Sequence, residues 1–569
     1  MKKIFALSML VIACSEYSNI PPLPDIQNIN SYHTQELEII RLPEFIIDLY
    51  SLTTNIISDI ANVLITLPET IKQFLFPTHP YINTSAAVRW SDSDDICNEE
   101  KTFIENRIPL VKQGIQKFLQ IDVDETDLPR IGMAFSGGGF RAMITTLGFL
   151  ASAKESGLLD ATLYMAGVSG ATWAIGPWIA SGKSIQEYTD TLHEKIEYGI
   201  DHINDPYELK YLFENLLSRL AWQQYVSIID IYGAMIANTL MKELDRERMR
   251  ITLTQAHQGM LTNNQLPLPI YTAITTNTNP YEWLEVTPFE VGLLKSYIPT
   301  WAYGRKFKNG QSLDYAPEQP LGYYLGIFGS AFEVNFSDIL HHTAGRLQAI
   351  RDTLPTFLQK PAELLIHQIK ASSVNDFRLF PSMLNNFTYH YMGPLQSEEH
   401  ICLIDAGIDF NLPVPPLLRA ARNLDTLIIY DSSSKGNAKD LKYAEKYARR
   451  RGIKFPEIDL EKAIKNIISI FNDPQDPEVP TIIYFPMIKN EAYSCFNPVD
   501  CVYEDYCNTF NFTYNQQQIK ELCGLPYFCL NQESQSIIDL IKEKQIKVIQ
   551  SELKKVIQRK RNMALNKAC

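Results

Sequence analysis

The chain of 569 residues is too long for one ordinary hydrophobic core, so one large domain or two fused domains are expected. Its 45% hydrophobic and 21% charged residues are globular values, which exclude a disordered or collagen-like chain. The formal charge of −13 argues against nucleic acid as a partner, because phosphate binding depends on Lys and Arg. The sequence has no uninterrupted apolar run of about 18 residues, the length that spans a bilayer.

The first fourteen residues have the layout of a secretory signal. Two lysines precede the apolar stretch Ile4–Ala13, and Cys14 follows it. We predict a signal peptide over residues 1–13. Val11–Cys14 also resembles a bacterial lipobox, in which Cys14 becomes the lipid-modified first residue. The protein would then be exported, either secreted or anchored to a membrane as a lipoprotein; the alternative is a cytoplasmic chain with an apolar start.

Both ends of the chain predict further helices. Apolar residues recur at helical spacing between residues 42 and 76, which indicates a helical N-terminal extension over residues 14–85. It either packs on the core or forms a lipid-facing lid or stalk. Residues 542–569 carry nine Lys or Arg and two Glu, a net of +7, so residues 541–569 are predicted as a basic amphipathic helix. Such a helix suits an anionic membrane surface, although a solvated terminal helix is the alternative.

Five of the nine cysteines cluster late in the chain, at positions 495, 501, 507, 523 and 529. Zinc sites usually bring paired ligands two to four residues apart, and these spacings are wider. Disulfides in an exported protein therefore fit better than zinc. Free buried cysteines are the alternative, and the pairing cannot be read from the sequence.

A glycine-rich turn opens the informative centre of the chain. Ile131–Phe135 is predicted as a short buried strand, and Ser136–Ala142, which reads SGGGFRA, leads into a helix. Three consecutive glycines leave backbone N–H groups uncovered and allow close approach of a ligand. A dinucleotide-binding G-x-G-x-x-G would need glycine where Ala142 stands, and no GK[ST] follows, so a P-loop is excluded.

A second strand, turn and helix follow directly. Leu163–Val168 is the predicted strand, and Gly167–Ala171, which reads GVSGA, is the turn. A serine among small residues on such a turn is typical of a nucleophile elbow, although the usual G-x-S-x-G has glycine in place of Ala171. A purely structural turn is the alternative reading of Ser169.

The base for such a serine is not an obvious histidine. None of the ten histidines lies in a setting that we can associate with the elbow. Asp405 ends a short apolar strand that begins at Ile401 and is followed by two small residues, so its carboxylate can reach a serine directly. Taken alone, the sequence around Asp405 is better explained as an ordinary turn.

Together these segments resemble the catalytic domain of the cytosolic phospholipase A2 family, which is related to fungal phospholipase B and, more distantly, to patatin. The matching blocks occur in the family's order from about Trp90 to about Ile538, and they are Cys97–Phe103, Ser136–Met143, Glu155–Trp173, Pro269–Ala273, Gly329–Phe332 and Leu403–Arg419. The departures, Ala171 in the elbow and Ala406 after the aspartate, replace one small residue by another.

The resemblance implies a role for each matching residue. Ser169 would be the nucleophile and Asp405 its base, the backbone N–H groups of Gly138 and Gly139 would form the oxyanion hole, and Arg141 would bind the substrate phosphate. The implied reaction is hydrolysis of an acyl ester of a glycerophospholipid through an acyl-serine intermediate, with no metal and no cofactor. A transacylase of the same fold, or a membrane-anchored lipid-binding protein without catalysis, is the alternative.

The resemblance also implies a fold and a domain organisation. We expect a patatin-like, three-layer α/β hydrolase core with a cap, within a catalytic domain over residues 86–540. The segments near 185–262 and 301–391 are candidates for the cap. The partner would be a phospholipid or lysophospholipid at a membrane surface, and no nucleic acid. No calcium-binding domain is recognised before Trp90, so the expected activity is independent of calcium.

Overall fold

The computed structural model describes residues 80–120, 124–125, 128–200, 206–225, 227–331, 382–433, 436–503 and 506–568. The predicted signal peptide, Cys14 and the apolar segments of residues 42–76 lie outside the described residues, as do the side chains of residues 545–568.

The chain divides into two compact units. One comprises residues 79–203, 225–334 and 376–569 and contains every predicted site residue. The other comprises residues 1–78, 204–224 and 335–375, of which the structure describes residues 206–224. Residues 204–224 and 335–375 belong to the segments in which we expected the cap; the cap itself stays a prediction.

The strands are β1 Arg89–Trp90, β2 Ile131–Phe135, β3 Thr162–Gly167, β4 Leu268–Thr275, β5 Glu282–Val286, β6 Glu290–Leu293, β7 Ser296–Pro299, β8 Phe307–Lys308, β9 Gln311–Ser312, β10 Ser382–Asn385, β11 His400–Asp405, β12 Thr426–Asp431, β13 Ser469–Phe471 and β14 Thr481–Pro486.

The α-helices are α1 Asn98–Leu119, α2 Gly139–Ser156, α3 Gly170–Ser181, α4 Ile185–Asp190, α5 Leu192–Ile196, α6 Pro206–Ala221, α7 Ile228–Leu240, α8 Leu253–Asn263, α9 Leu321–Phe328, α10 Lys439–Arg450, α11 Leu460–Lys465, α12 Pro498–Tyr503 and α13 Gln516–Ala568. Short 3-10 helices cover Lys242–Met249, Thr300–Ala302, Ala406–Ile408, Pro415–Leu418 and Ala420–Arg422.

Within the described residues, twelve strands form one mixed sheet in the order β1-β7-β6-β5-β4-β3-β2-β12-β14-β13, with β11 joining β4 to β10. Its centre, from β4 to β14, is parallel, and the outer strands are antiparallel. Every residue of these five central strands is buried, as expected where helices cover both faces of a parallel sheet. The predicted three-layer α/β core is confirmed.

The two strands predicted around the glycine turn and the elbow are present. The first has the predicted bounds, Ile131–Phe135, and the second begins and ends one residue earlier than predicted, at Thr162–Gly167. Each passes directly into a helix, so the turns at residues 136–138 and 168–169 lie at the carboxyl ends of neighbouring parallel strands. That edge of an α/β sheet is where ligands bind in folds of this class.

Strands β3 and β11 lie end to end along the same edge of β4. Gly167 pairs with Tyr271 in parallel, and Asp405 pairs with Ala273 in antiparallel register, while β5 occupies the other edge of β4. The carboxyl ends of β3 and β11 therefore face each other across Thr272, whose hydroxyl donates to Gly167 O at 2.9 Å.

The C-terminal helix packs against the helix that follows the glycine turn. A Cβ atom added to Gly148 of α2 would lie 2.2 Å from the carbonyl oxygen of Cys523 in α13, so the two backbones approach closely. Ser152 Oγ donates to Asn531 Oδ1 at 3.0 Å across the same contact. The basic segment predicted at residues 541–569 is the continuation of this helix, which begins at Gln516.

The late cysteines are divided between one disulfide and free thiols. Cys501 and Cys507 form a disulfide, whereas Cys495, Cys523 and Cys529 are free. One pair in the cluster therefore agrees with the disulfide prediction, and the other three cysteines agree with the alternative that they are free. A search of the described residues finds no helix with the length and apolar character required to cross a membrane.

Candidate active site

The glycine-rich turn presents backbone donors at the start of helix α2. Gly138 has φ 141° and precedes the helix, and Gly139 has φ 62° and is its first residue. Positive φ values favour glycine, and a Cβ at Gly138 would also lie 2.3 Å from a guanidinium nitrogen of Arg141. N–H groups at the start of a helix have no partner within it, so these two can donate to a group outside the helix.

Ser169 sits on a strained turn between β3 and α3. Its φ of 52° and ψ of −125° are unusual for a residue with a side chain, and such strain costs about 1–3 kcal/mol. The turn brings the serine beside the glycine turn: a Cβ added to Gly137 would lie 3.3 Å from Ser169 Oγ. The local backbone is that of a nucleophile elbow.

Asp405 is buried at the end of β11, with 1% of its surface exposed. The Ser169 side chain is near enough to this carboxylate to favour its charged form, and the carboxylate accepts the Gly407 N–H at 2.8 Å. Its own N–H donates to Ser330 Oγ at 3.0 Å. Burial raises the pKa of this carboxyl to about 7, because desolvation outweighs the hydrogen bonds that favour the charged form.

Arg141 lies in the first turn of α2, under the glycine turn, with 3% of its surface exposed. Its Nε donates to Ser432 O at 2.9 Å, and another nitrogen donates to Cys507 O in the disulfide loop. Desolvation lowers the pKa of the guanidinium. Its predicted contact with a substrate phosphate stays a prediction.

His257 does not offer an alternative base. His257 is fully buried, and its ring nitrogens lie 2.7 Å from Leu253 O and 2.6 Å from the Tyr271 hydroxyl. Burial lowers the pKa of His257 to about 4, so it is neutral at physiological pH. His341 and His342 lie outside the described residues.

Three features of the site escaped the sequence analysis. Ser330 holds the Asp405 backbone, and Asn411 binds Gly137 through two hydrogen bonds. The third is a cluster of aromatic rings beside the elbow, which consists of Phe140, Trp173, Tyr232 and Phe512. Ser330 and Asn411 lie inside blocks that carried the family resemblance, but only the three-dimensional contacts give them a role.

A metal site is not evident in the described part of the chain, where no group of three or more His, Cys, Asp or Glu side chains is arranged to hold an ion. The chemistry that the described site supports is nucleophilic. A strained serine, a buried carboxylate and backbone donors meet at one edge of the sheet, as acyl transfer requires.

Comparison with known proteins identifies relatives of this chain. The family model of the lysophospholipase catalytic domain matches residues 131–475. Cytosolic phospholipase A2 delta of Mus musculus is 26% identical over 460 residues, which cover 69% of this chain and 54% of that protein. Cytosolic phospholipase A2 zeta of Homo sapiens is 28% identical over 516 residues, which cover 76% and 59%. The chain thus spans a little over half the length of these relatives.

A solved structure, that of human GIVD cytosolic phospholipase A2, has the same fold. It superposes with a TM-score of 0.66 at 21% identity and covers 81% of this chain and 69% of its own. The same human protein in complex with methyl gamma-linolenyl fluorophosphonate gives a TM-score of 0.62 at 23% identity. At this identity the likeness concerns the fold, and the predicted fold class and family resemblance are confirmed. Because the family model covers more than half of the chain, including both Ser169 and Asp405, the chain belongs to the lysophospholipase catalytic domain family.

Proposed function

We propose that this protein is a serine hydrolase that cleaves acyl esters of glycerophospholipids or lysophospholipids through a dyad of Ser169 and Asp405. The observation that carries the proposal is the placement of the strained Ser169 near the buried Asp405 carboxylate, whose charged form the serine side chain favours. A carboxylate whose pKa is raised to about 7 is a suitable general base near neutral pH.

In the first half of the reaction, Asp405 accepts the proton of the Ser169 hydroxyl while Oγ attacks the ester carbonyl carbon. The carbonyl oxygen becomes an oxyanion, which the N–H groups of Gly138 and Gly139 stabilise. Removal of one such donor typically costs 10²- to 10³-fold in kcat. The ester C–O bond then breaks, and protonated Asp405 returns the proton to the departing alcohol oxygen.

In the second half, water hydrolyses the acyl-serine. Asp405 takes a proton from the water as its oxygen attacks the acyl carbon, and the same two backbone donors hold the second oxyanion. The bond to Ser169 Oγ breaks, and Asp405 returns the proton to the serine. The fatty acid leaves, and the enzyme is restored without a cofactor.

Arg141 and the relatives support a phospholipid substrate. A guanidinium nitrogen of Arg141 lies against Gly138, beside the proposed oxyanion hole, and arginine matches phosphate geometry well. The named relatives are phospholipases A2, and the human structure binds a fluorophosphonate with a linolenyl chain. The aromatic cluster beside the elbow supplies an apolar surface suited to an acyl chain.

The relatives also bear on localisation. They are named cytosolic, which favours the cytoplasmic alternative over the exported reading of the N-terminus. We therefore propose a cytoplasmic enzyme that acts on phospholipid at a membrane surface. A fusion of residues 1–20 to a reporter tests this: retention in the cytoplasm is expected, and export or lipidation of Cys14 would restore the signal-peptide interpretation.

One experiment tests the activity against its alternatives. Purified protein is treated with methyl gamma-linolenyl fluorophosphonate and, separately, given a panel of phospholipids and lysophospholipids with and without an acceptor alcohol. We expect covalent labelling at Ser169 and release of free fatty acid. Transfer of the acyl group to the alcohol would favour a transacylase. Absence of labelling and of product from folded protein would favour the lipid-binding alternative.

A further inference from the structure

The side-chain amide of Asn411 holds both polar groups of Gly137. Asn411 Oδ1 accepts the Gly137 N–H at 2.9 Å, and Asn411 Nδ2 donates to Gly137 O at 3.0 Å. Because one end of the amide must accept and the other must donate, the two bonds fix its orientation. A carboxylate in the same place could accept from Gly137 but could not donate to it.

This pair of bonds determines the direction of the next backbone donor. The carbonyl of Gly137 belongs to the same peptide plane as the N–H of Gly138, and in a trans peptide these two groups point in opposite directions. Gly138 has φ 141°, a value open to glycine, so its own geometry leaves the peptide plane free to rotate. The bond from Asn411 to Gly137 O therefore directs the Gly138 N–H away from Asn411.

Asn411 also lies beside both reacting side chains. A Cβ added to Gly137 would lie 2.5 Å from Ser169 Cβ and 2.6 Å from Asn411 Oδ1. One added to Gly407 would lie 3.1 Å from Asn411 Oδ1 and 3.1 Å from Asp405 Oδ1. The residue is itself anchored, since its N–H donates to Asp440 Oδ1 at 2.8 Å.

We propose that Asn411 is a positioning residue that keeps the oxyanion hole formed by fixing the Gly137–Gly138 peptide. The segment that carries the base thus also orients the donor that stabilises the oxyanion. This inference rests on the proposed function, because the role of the Gly138 N–H belongs to it. Asn411 touches Gly137, and it acts on the substrate through Gly138.

The test uses Asn411→Asp and Asn411→Ala in the full chain, with a small phosphate-free ester as substrate. Loss of an oxyanion donor lowers kcat about 10²-fold or more and leaves KM nearly unchanged. In Asn411→Asp the ionised carboxylate cannot donate to Gly137 O, whereas the protonated acid can. Asp405 and Asp440 lie beside this position and raise the pKa of the introduced carboxyl toward neutrality, so the ratio of the variant's kcat to that of the wild type should rise several-fold from pH 8 to pH 6.

Among the described residues, the charged groups around position 411 include Asp405, Asp440, and the Asp431 and Lys439 side chains that act on Asp440, and all of them are present in each protein. An ionised carboxylate at position 411 raises the pKa of Asp405, so the Asp405 titration fitted to each protein's own pH profile is divided out before the ratio is taken. Asn411→Ala has no group to titrate, so its ratio should stay flat with pH. A rise for the aspartate variant and a flat ratio for the alanine variant distinguish positioning from a general loss of structure.

Asn386 provides a matched control away from the site. It is buried, donates through Nδ2 to the carbonyls of Leu395 and Glu398, and accepts the Thr388 N–H at 2.9 Å. Asn386→Asp should lower the melting temperature and leave kcat and its pH ratio unchanged. An equal loss of kcat in the two aspartate variants would overturn the proposal.

A crystal structure of Asn411→Asp at pH 8 tests the geometry without turnover. We expect the Gly137–Gly138 peptide to be rotated from its wild-type orientation, and an unchanged peptide would overturn the proposal even if the enzyme were inactive. Full kcat in both Asn411 variants would also overturn it. Wild-type protein that neither reacts with the fluorophosphonate nor hydrolyses esters would instead refute the proposed function.

Discussion

The Cβ atom that Gly170 lacks would lie 2.0 Å from the carbonyl oxygen of Gly139. Gly170 follows the proposed nucleophile, and Gly139 belongs to the proposed oxyanion turn, so the two catalytic turns touch through their backbones. Neither φ nor ψ of Gly170 demands glycine, since it begins helix α3. The glycine is required by contact, and any side chain would separate the hydroxyl from the donors.

We predict that Gly170→Ala lowers kcat at least 10²-fold because it moves Ser169 relative to the oxyanion donors. Gly259→Ala is the matched control. Gly259 lies in α8, and a Cβ there meets no atom within 4 Å, so the variant should keep its activity and gain up to about 1 kcal/mol of helix stability. The turnover rates of both variants test this prediction. A fully active Gly170→Ala variant would contradict the claim that backbone contact requires glycine at position 170.

A second prediction concerns a buried ion cluster that includes neither Ser169 nor Asp405. Arg422 is fully buried and pairs with Glu100 at 2.9 Å and with Glu285 at 2.8 Å, which ties helix α1 and strand β5 to the segment before β12. Removal of one partner leaves a buried charge without compensation. Arg422→Met should therefore lower the free energy of unfolding by about 3–5 kcal/mol in urea titration.

The exposed ion pairs of Lys454 provide a control for the substitution of Arg422. Lys454 pairs with Asp476 and Glu478 where all three side chains are well exposed to water. Solvent screens such pairs, so Lys454→Ala should leave the urea midpoint unchanged. If both substitutions shifted the urea midpoint equally, burial would not explain the contribution of the Arg422 cluster to the free energy of unfolding.

The central sheet could be predicted from the sequence because parallel strands are buried on both faces. Ile131–Phe135 reads as a continuous apolar run, and the structure gives it the same bounds. The small residues around Ser169 and Gly138 are visible in the sequence for a similar reason, since tight turns restrict residue type. These signals are local, and each can be read within about ten residues.

The contacts that complete the site are not local. Asp405 meets Ser169 because β11 pairs with β4 in a register that places Asp405 at Ala273, and no sequence pattern encodes that register. Asn411 reaches Gly137 across 274 positions of the chain. The pairing of Cys501 with Cys507 was likewise open among several, since spacing does not determine partners.

Arg141 offers a prediction that separates phospholipid from neutral ester. Lysine keeps the positive charge but loses the planar fork, so Arg141→Lys should reduce hydrolysis of phospholipid vesicles at least tenfold. A soluble ester without phosphate should lose much less activity. The two rates are measured on the same preparation. Equal losses on both substrates would mean that Arg141 supports the glycine turn through Ser432 O and Cys507 O and does not bind the head group.

The raised pKa of Asp405 predicts the pH dependence of activity. The base must be ionised to accept the serine proton, and burial raises the pKa of this carboxyl to about 7. In the free enzyme, kcat/KM should therefore rise with pH through about 7 and level off above it. The profile is measured with a soluble ester whose own ionisation does not change between pH 5 and 9. A profile that levels off near pH 4, the range of an ordinary carboxyl, would contradict this assignment.

The same shift predicts that the catalytic aspartate destabilises the fold at high pH. The folded pKa of about 7 lies above the unfolded value near 4, so the folded state binds the proton more tightly in that window. The stabilisation that comes from proton binding to Asp405 is then fully present below about pH 4 and is lost as pH rises through 7. An amide cannot ionise, so Asp405→Asn should abolish ester hydrolysis and yet be more stable than the wild type at pH 8, by at most about 4 kcal/mol. The gain should shrink toward pH 4.

Thermal unfolding across pH 4–8 measures this gain in stability, with the exposed Asp539→Asn as a control whose melting temperature should follow that of the wild type. A variant at position 405 whose melting temperature falls below the wild type at every pH would show that the ionised carboxylate is well accommodated.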